Sequence, residues 1–250
     1  MEREPESTEK LFGLVGKNIA YSFSREYFTK KFKSLQLHHY RYINFDLDSI
    51  DIFPDVIKQH PHLKGLNVTI PYKEKILPYL QHLSREVSEI GAVNTITFTK
   101  EGLKGHNTDT YGFKKSFAPL VQPYHNKALI LGTGGASKAV AYTLNELRIS
   151  YTFVSRTSTH HLTYADLTKE ILQHYRIIIN CTPLGTAPQV DVKPELPYHH
   201  ITPKHLLYDL VYNPSETAFL KAGKRQGATV CNGLAMLRFQ AERAWAIWNA

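Results

Sequence analysis

The sequence predicts an α/β protein of two domains. Three observations carry this. Strand-like and helix-like stretches alternate along most of the chain; a stretch of weak periodicity with two prolines interrupts them at 119–126; and the alternation then restarts around a glycine-rich turn. With 250 residues and 42% hydrophobic content there is chain enough for two modest cores. The charged residues 1–10 are expected to be flexible, 11–118 to form a first domain, 119–233 a second, and the closing helix 234–250 to pack back on the first.

The elements follow in order. Leu11–Val15 is apolar and short, as a buried strand is, and Ser24 can cap a helix through Leu35 whose Phe28, Phe32 and Leu35 share one face. Tyr40–Phe45 is the next strand. Ile50, Phe53 and Ile57 recur at helical spacing, Gly65–Ile70 is apolar and strand-like, and Pro71 suits the first turn of a helix to about Leu83. Val93–Phe98 and Leu103–Gly105 flank a turn and predict an antiparallel pair, after which Thr108 or Asp109 can cap a helix through Phe117. Beyond 126 come strand Ala128–Leu131, a helix to about Leu147, strands Tyr151–Val154 and Ile177–Cys181, and strand Leu206–Val211. A helix from Ser215 to Gly227, strand Thr229–Cys231 and an amphipathic helix Leu234–Trp248 complete the chain.

Several function classes are set aside. No apolar run approaches the roughly 20 residues that span a bilayer, so no membrane segment is expected. The charged N-terminus lacks a secretory h-region, which places the protein in the cytoplasm. A formal charge of +8 would suit nucleic acid only if clustered. The Lys and Arg residues are instead scattered, and the Lys30, Lys31, Lys33 group lies on the solvated face of its helix. The thirteen histidines match no metal-binding spacing, and two cysteines make no disulfide framework. No metal and no nucleic-acid partner are expected.

The sharpest local signal is Gly132-Thr133-Gly134-Gly135-Ala136, placed after a strand and before a helix. Glycines there allow positive φ and close approach of backbone to a pyrophosphate, whose charge the helix N-terminus meets. The last glycine of the usual dinucleotide pattern is replaced by Lys138 or Ala139. Where an NAD enzyme places an acidic residue about 20 residues on, this chain has Ser155-Arg156-Thr157. A guanidinium between two hydroxyls suits the 2′-phosphate of NADP.

In the first half, polar groups recur at strand ends: Ser22 and Ser24, Asn67 and Thr69 with Lys73, Asn94, and Asn107 with Asp109. Each alone has a structural explanation as a cap, turn or surface charge. In order, Asn67-Val-Thr-Ile-Pro-Tyr-Lys73, Gly91-Ala-Val-Asn94-Thr and Gly105-His-Asn107-Thr-Asp109 resemble the motifs of the shikimate dehydrogenase family. The resemblance extends to the glycine loop, to Ser155-Arg156-Thr157, to Asn180-Cys-Thr182-Pro-Leu-Gly185, to Leu210-Val-Tyr212-Asn-Pro214 and to Gly233-Leu-Ala-Met236-Leu-Arg-Phe-Gln240.

The resemblance implies a substrate domain followed by a Rossmann-like NADP-binding domain with a cleft between them, in a monomer or homodimer. It implies reversible reduction of 3-dehydroshikimate to shikimate by NADPH, in aromatic amino-acid biosynthesis. Ser22 and Ser24 would hold the substrate carboxylate; Asn67, Thr69, Asn94, Tyr212 and Gln240 would line the substrate site; Lys73 and Asp109 would stand at the reacting oxygen, with the proton donor unassigned between them. Gly132, Thr133, Gly134, Gly135, Ala136, Ser155, Arg156, Thr157, Thr182 and Gly233 would serve the cofactor. The chain departs from the family's serine motif, with Asn18 in place of proline, Tyr21 of histidine and Arg25 of the final proline. His160 falls near a position where many members carry a second basic residue. Broader use of quinate or NAD, and a non-catalytic ligand sensor, are the alternative readings.

Overall fold

A computed structural model describes residues 9–20, 22–157 and 161–250. Residues up to Thr108 together with Arg243–Ala250 make one compact unit, and Asp109–Glu242 a second.

The first unit is built on β1 (Lys10–Gly16), α1 (Phe23–Ser34), β2 (Tyr40–Asp46), α2 (Phe53–Gln59), β3 (Leu63–Val68), β4 (His82–Leu83), α3 (Arg85–Ile90), β5 (Thr95–Thr99) and β6 (Gly102–His106). Its sheet runs β2-β1-β3-β5-β6-β4, parallel among β1, β2 and β3, with β5 antiparallel to both β3 and β6. The helix α1 starts at Ser22, whose Oγ accepts from the Arg25 amide at 3.3 Å, and its last turn carries Lys31 and Lys33 against the helix dipole. Phe28 and Phe32 are buried on its inner face. On one side of the sheet Val15, Leu66, Val68 and Ile96 pack in a mostly aliphatic cluster that also takes in Phe45 and Phe53. The other is aromatic: Phe12, Phe28 and Tyr42 gather round the Trp248 indole, whose Nε1 donates to the Ile96 carbonyl at 3.0 Å.

The helix expected from Pro71 to Leu83 is absent. Turns and a short 3-10 segment, Leu77–Tyr79, lead instead into β4. Pro78 has no amide to donate and would clash within a helix interior, so the apolar spacing around it cannot be realised as an α-helix.

The second unit contains α4 (Asp109–Phe117), β7 (Lys127–Leu131), α5 (Gly135–Glu146), β8 (Ser150–Ser155), β9 (Leu162–Thr163), α6 (Lys169–His174), β10 (Ile177–Asn180), β11 (Leu206–Asp209), α7 (Ala218–Arg225) and β12 (Thr229–Cys231), and most of α8 (Leu234–Trp248). Its strands are all parallel, in the order β12-β11-β10-β7-β8-β9. Such a sheet is covered on both faces, so its central strands β7, β10 and β11 read as near-continuous buried runs rather than alternating. Ala128, Ile130, Ile177 and Ile179 enter one core while Leu129, Leu131 and Ile178 enter the other.

Phe113 and Phe117 of α4 bury in the first of these cores, which is why α4 groups with the second unit although it precedes the proline-bearing stretch at 119–126. Gly112 lets α4 meet α8 closely: a Cβ there would lie 2.5 Å from the Met236 carbonyl oxygen and 3.0 Å from Gln240 Cβ. In this sheet the chain leaves β7 for β8 on one side and returns through β10 on the other. That reversal is the place where open parallel sheets take their ligands.

Candidate active site

In the first unit three of the expected substrate residues, Ser24, Asn67 and Asn94, are joined through hydrogen bonds near the ends of β3 and β6. Asn67, on β3, is buried, and its Oδ1 accepts from the Tyr42 hydroxyl at 2.8 Å. Its Nδ2 donates to the Asn94 carbonyl and to Thr95 Oγ1, both at 3.2 Å. Both amide protons are thus used within the protein, and one Oδ1 lone pair remains for anything further. Tyr42 also bonds Ser24, and burial holds its hydroxyl well above the usual tyrosine range, so it stays a neutral donor.

Asn94 fixes the turn after β6: its Oδ1 accepts from the Thr108 amide at 2.7 Å, and its Nδ2 donates to Thr108 Oγ1 at 3.0 Å. Asn107 Nδ2 donates to the Ala92 carbonyl at 2.9 Å. Thr69 is half-buried, its amide bonded to the Val15 carbonyl at 2.8 Å. Lys73 is half-buried in the turns beyond Pro71, its carbonyl held by the Val93 amide at 2.7 Å. Ser24, Asn67 and Asn94 therefore belong to one polar network, linked by Tyr42, Thr95 and Thr108. Sequence reading missed Tyr42: within Tyr-Arg-Tyr-Ile-Asn-Phe the hydroxyl looks like one more face of an alternating strand.

Asp109 follows Thr108 in the chain and opens α4 in the second unit, buried to 5% exposure. It lies three residues before Gly112, on the side of α4 that faces α8, where Gln240 is also buried. Tyr212 is half-buried in the loop after β11.

The glycine loop follows β7. Gly132 has φ +98°, a conformation that favours glycine, and a Cβ there would press on Thr182 Cγ2 at 3.1 Å. Gly134 caps the twelve-residue α5 without a side-chain bond, and a Cβ on it would meet nothing within 4 Å. Buried Ser137 donates to the Gly134 carbonyl at 2.6 Å and pins the turn. Thr133 is exposed, while Gly135 and Ala136 form the first turn of α5. At the end of β8, Ser155 Oγ donates to the Thr157 carbonyl at 2.5 Å, closing a tight turn that leaves Arg156 exposed. An uncapped helix start with open space before it, and a cation one strand away, fit a dinucleotide bearing an extra phosphate.

Beside β7, the loop after β10 carries Thr182, whose amide and hydroxyl both donate to Asn180 Oδ1, at 3.0 and 2.6 Å. Gly233 is forced by packing: a Cβ there would lie 2.2 Å from the Leu210 carbonyl oxygen. His160 and Tyr21 lie outside the described residues. Among the described residues no helix is long and apolar enough to cross a membrane, and no group of three side chains is placed to hold a metal.

Residues 14–96 match the family model described as the shikimate dehydrogenase substrate binding domain. The chain is 37% identical to a shikimate dehydrogenase (NADP(+)) of Clostridium botulinum strain Hall over 247 residues, covering 94% of this chain and 95% of the relative. It is 35% identical to the enzyme of that name from Halothermothrix orenii, covering 98% and 92%. Its fold matches the Thermus thermophilus shikimate 5-dehydrogenase solved in complex with NADP(H) and shikimate, with a TM-score of 0.84 and 31% identity over 96% of this chain and 93% of that one.

Proposed function

The chain belongs to the shikimate dehydrogenase family, and from that premise we propose a division of labour among its residues. It is an NADP-dependent oxidoreductase that interconverts 3-dehydroshikimate and shikimate. The observation that supports the residue roles is the co-occurrence, in one family member, of Lys73 and Asp109 with a glycine loop whose helix start is uncapped.

Ser22 and Ser24 offer hydroxyls to the substrate carboxylate. Thr69, Asn94, Tyr212 and Gln240 bond the ring oxygens, and Asn67 braces Asn94 while keeping one acceptor for the ligand. The first-turn amides of α5, with Thr133 and Gly134, take the pyrophosphate; Ser155, Arg156 and Thr157 take the 2′-phosphate; Thr182 and Gly233 serve the nicotinamide end.

When bound, the cofactor supplies or accepts the hydride at the carbon that carries the reacting oxygen. In the reducing direction the carbonyl oxygen gains the electron pair of the C=O π bond and must be neutralised as it does so. Lys73 and Asp109 meet that need as a coupled pair, passing one proton to the oxygen in reduction and taking it back in oxidation.

Steady-state rates with shikimate and with quinate, each with NADP⁺ and NAD⁺, test the reading. Shikimate with NADP⁺ is expected to give the highest kcat/KM. Preference for quinate with NAD⁺, or no oxidation of either, would overturn it.

A further inference from the structure

Asp209 closes β11 and has no accessible surface. Its Oδ1 accepts from Asn180 Nδ2 at 2.9 Å and from the Val211 amide at 3.0 Å, and its Oδ2 from Thr217 Oγ1 at 2.6 Å. These three donors belong to three segments: the end of β10, the loop after β11, and the cap of α7, where Thr217 Oγ1 also accepts from the Leu220 amide. Burial pushes the Asp209 carboxyl up to about 6, so the ion is kept at a cost that a hydroxyl or an amide would avoid.

The carboxylate does what those groups do less completely. When ionised it only accepts, so it dictates which way the Asn180 amide points. With Nδ2 turned to Asp209, Asn180 Oδ1 faces the next loop and receives both the amide and the hydroxyl of Thr182. The Thr182 hydroxyl, its proton so directed, accepts from the Leu184 amide at 3.3 Å, and Asn180 Nδ2 reaches the Leu184 carbonyl at 3.4 Å. One carboxylate thereby sets an amide, a hydroxyl and two loops in series.

We propose that Asp209 is a positioning residue, which orients Asn180 and through it fixes the loop of Thr182, while holding the loop of Tyr212 by its own bond to Val211. The inference deepens the proposed function and rests on it for the roles of Thr182 and Tyr212. Asparagine fits the same place in part: its oxygen can take the two Oδ1 bonds, but its amide cannot accept from the Thr217 hydroxyl, which loses that acceptor.

The test compares the full-length wild type with Asp209→Ala, Asp209→Asn and Thr217→Val, by NADP⁺-linked shikimate oxidation and by hydrogen exchange. Misplacement on the ångström scale lowers rate steeply, so Asp209→Ala is expected to lower kcat about 10- to 100-fold, with a smaller rise in KM for shikimate through the loop of Tyr212. The amides of Thr182, Leu184 and Val211 are expected to exchange at least about tenfold faster, those of β7 unchanged. Asp209→Asn is expected to fall between the wild type and Asp209→Ala in both readouts, because its side chain keeps the two Oδ1 bonds and forfeits the bond from Thr217 Oγ1. A folded Asp209→Ala with wild-type kcat and protection overturns the inference, as does an Asn variant as impaired as the Ala variant. Should Asp209→Ala not fold, Thr217→Val decides: faster exchange at Thr182 and Leu184 supports the series, and unchanged exchange overturns it. If the wild type itself fails to oxidise shikimate, the proposed function falls and the exchange readout alone judges Asp209.

Discussion

Replacing Gly65 by alanine should weaken the first unit through one side chain, the Trp248 indole. A Cβ at Gly65 would lie 2.3 Å from Trp248 Nε1 and 2.5 Å from both Cδ1 and Cε2. The sheet cannot yield, so the ring must move by about an ångström or more to reach van der Waals contact, and its bond to the Ile96 carbonyl is lost. That bond contributes about 1 kcal/mol net, and forcing an extra methyl into a packed site costs about 1–3 kcal/mol. The sum is about 2–4 kcal/mol.

Trp248→Ala alone forfeits the contacts with Phe12 and Phe28, centroids 5.0 and 5.2 Å away, and should cost about 3 kcal/mol, the low end for a large aromatic. In that background the methyl has room, and alanine in a strand is favoured over glycine by about 0.5–1 kcal/mol. Gly65→Ala should then stabilise, giving a coupling of about 2.5–5 kcal/mol between the two positions. Urea unfolding followed by tryptophan fluorescence suits the measurement, because both tryptophans, Trp245 and Trp248, lie in the first unit, and Trp245 remains as reporter. A Gly65→Ala cost that is the same with and without the indole would refute the reasoning.

Other predictions concern the second unit. Arg156→Ala should weaken NADPH binding about 10- to 100-fold, as loss of about 1.5–3 kcal/mol of charge-assisted bonding implies, and leave NADH binding nearly unchanged; equal losses would remove the 2′-phosphate assignment. Asp209 has a folded pKa of about 6, raised from 3.8, so the native state binds its proton more tightly than the unfolded chain. The penalty is therefore absent well below pH 4, grows between about 4 and 6, and reaches about 3 kcal/mol above that. Asp209→Asn should flatten this part of the stability profile in chemical denaturation, and an unaltered slope would count against a buried ion. His205 behaves oppositely: burial lowers its pKa, and its Nδ1 accepts from the Thr202 amide at 3.0 Å while Nε2 bonds the Leu172 carbonyl at 2.9 Å. The fold thus favours the neutral ring, and its contribution should fade as pH drops below the unfolded value of about 6.5; His205→Gln should blunt that loss.

What sequence could show depended on how local the cause was. The glycine loop was legible because a strand, a turn and a helix start sit within a dozen residues, and β12 and α8 fall at the expected residues, α8 because its amphipathic pattern runs its whole length. The helix from Pro71 failed where Pro78 overrode spacing. The six-residue α6 left too few turns for a periodic signal, and it went unread between β8 and β10. Tertiary causes were invisible: α4 looked continuous with the first half until Phe113 and Phe117 were seen in the second core. Among site residues, Ser24, Asn67 and Asn94 were found singly, but Tyr42 and Asp209, which tie such groups together, were not. Their bonds reach across 25 and 29 residues of sequence.

The central claim is that Lys73 takes part in proton transfer at the reacting oxygen of shikimate. The most direct measurement is kcat for NADP⁺-linked shikimate oxidation by the wild type and by Lys73→Ala, with folding verified by circular dichroism. A well-placed general acid or base contributes about 10²–10⁴ in rate, and the variant should lose an amount in that range. Turnover within about tenfold of the wild type would contradict the assignment.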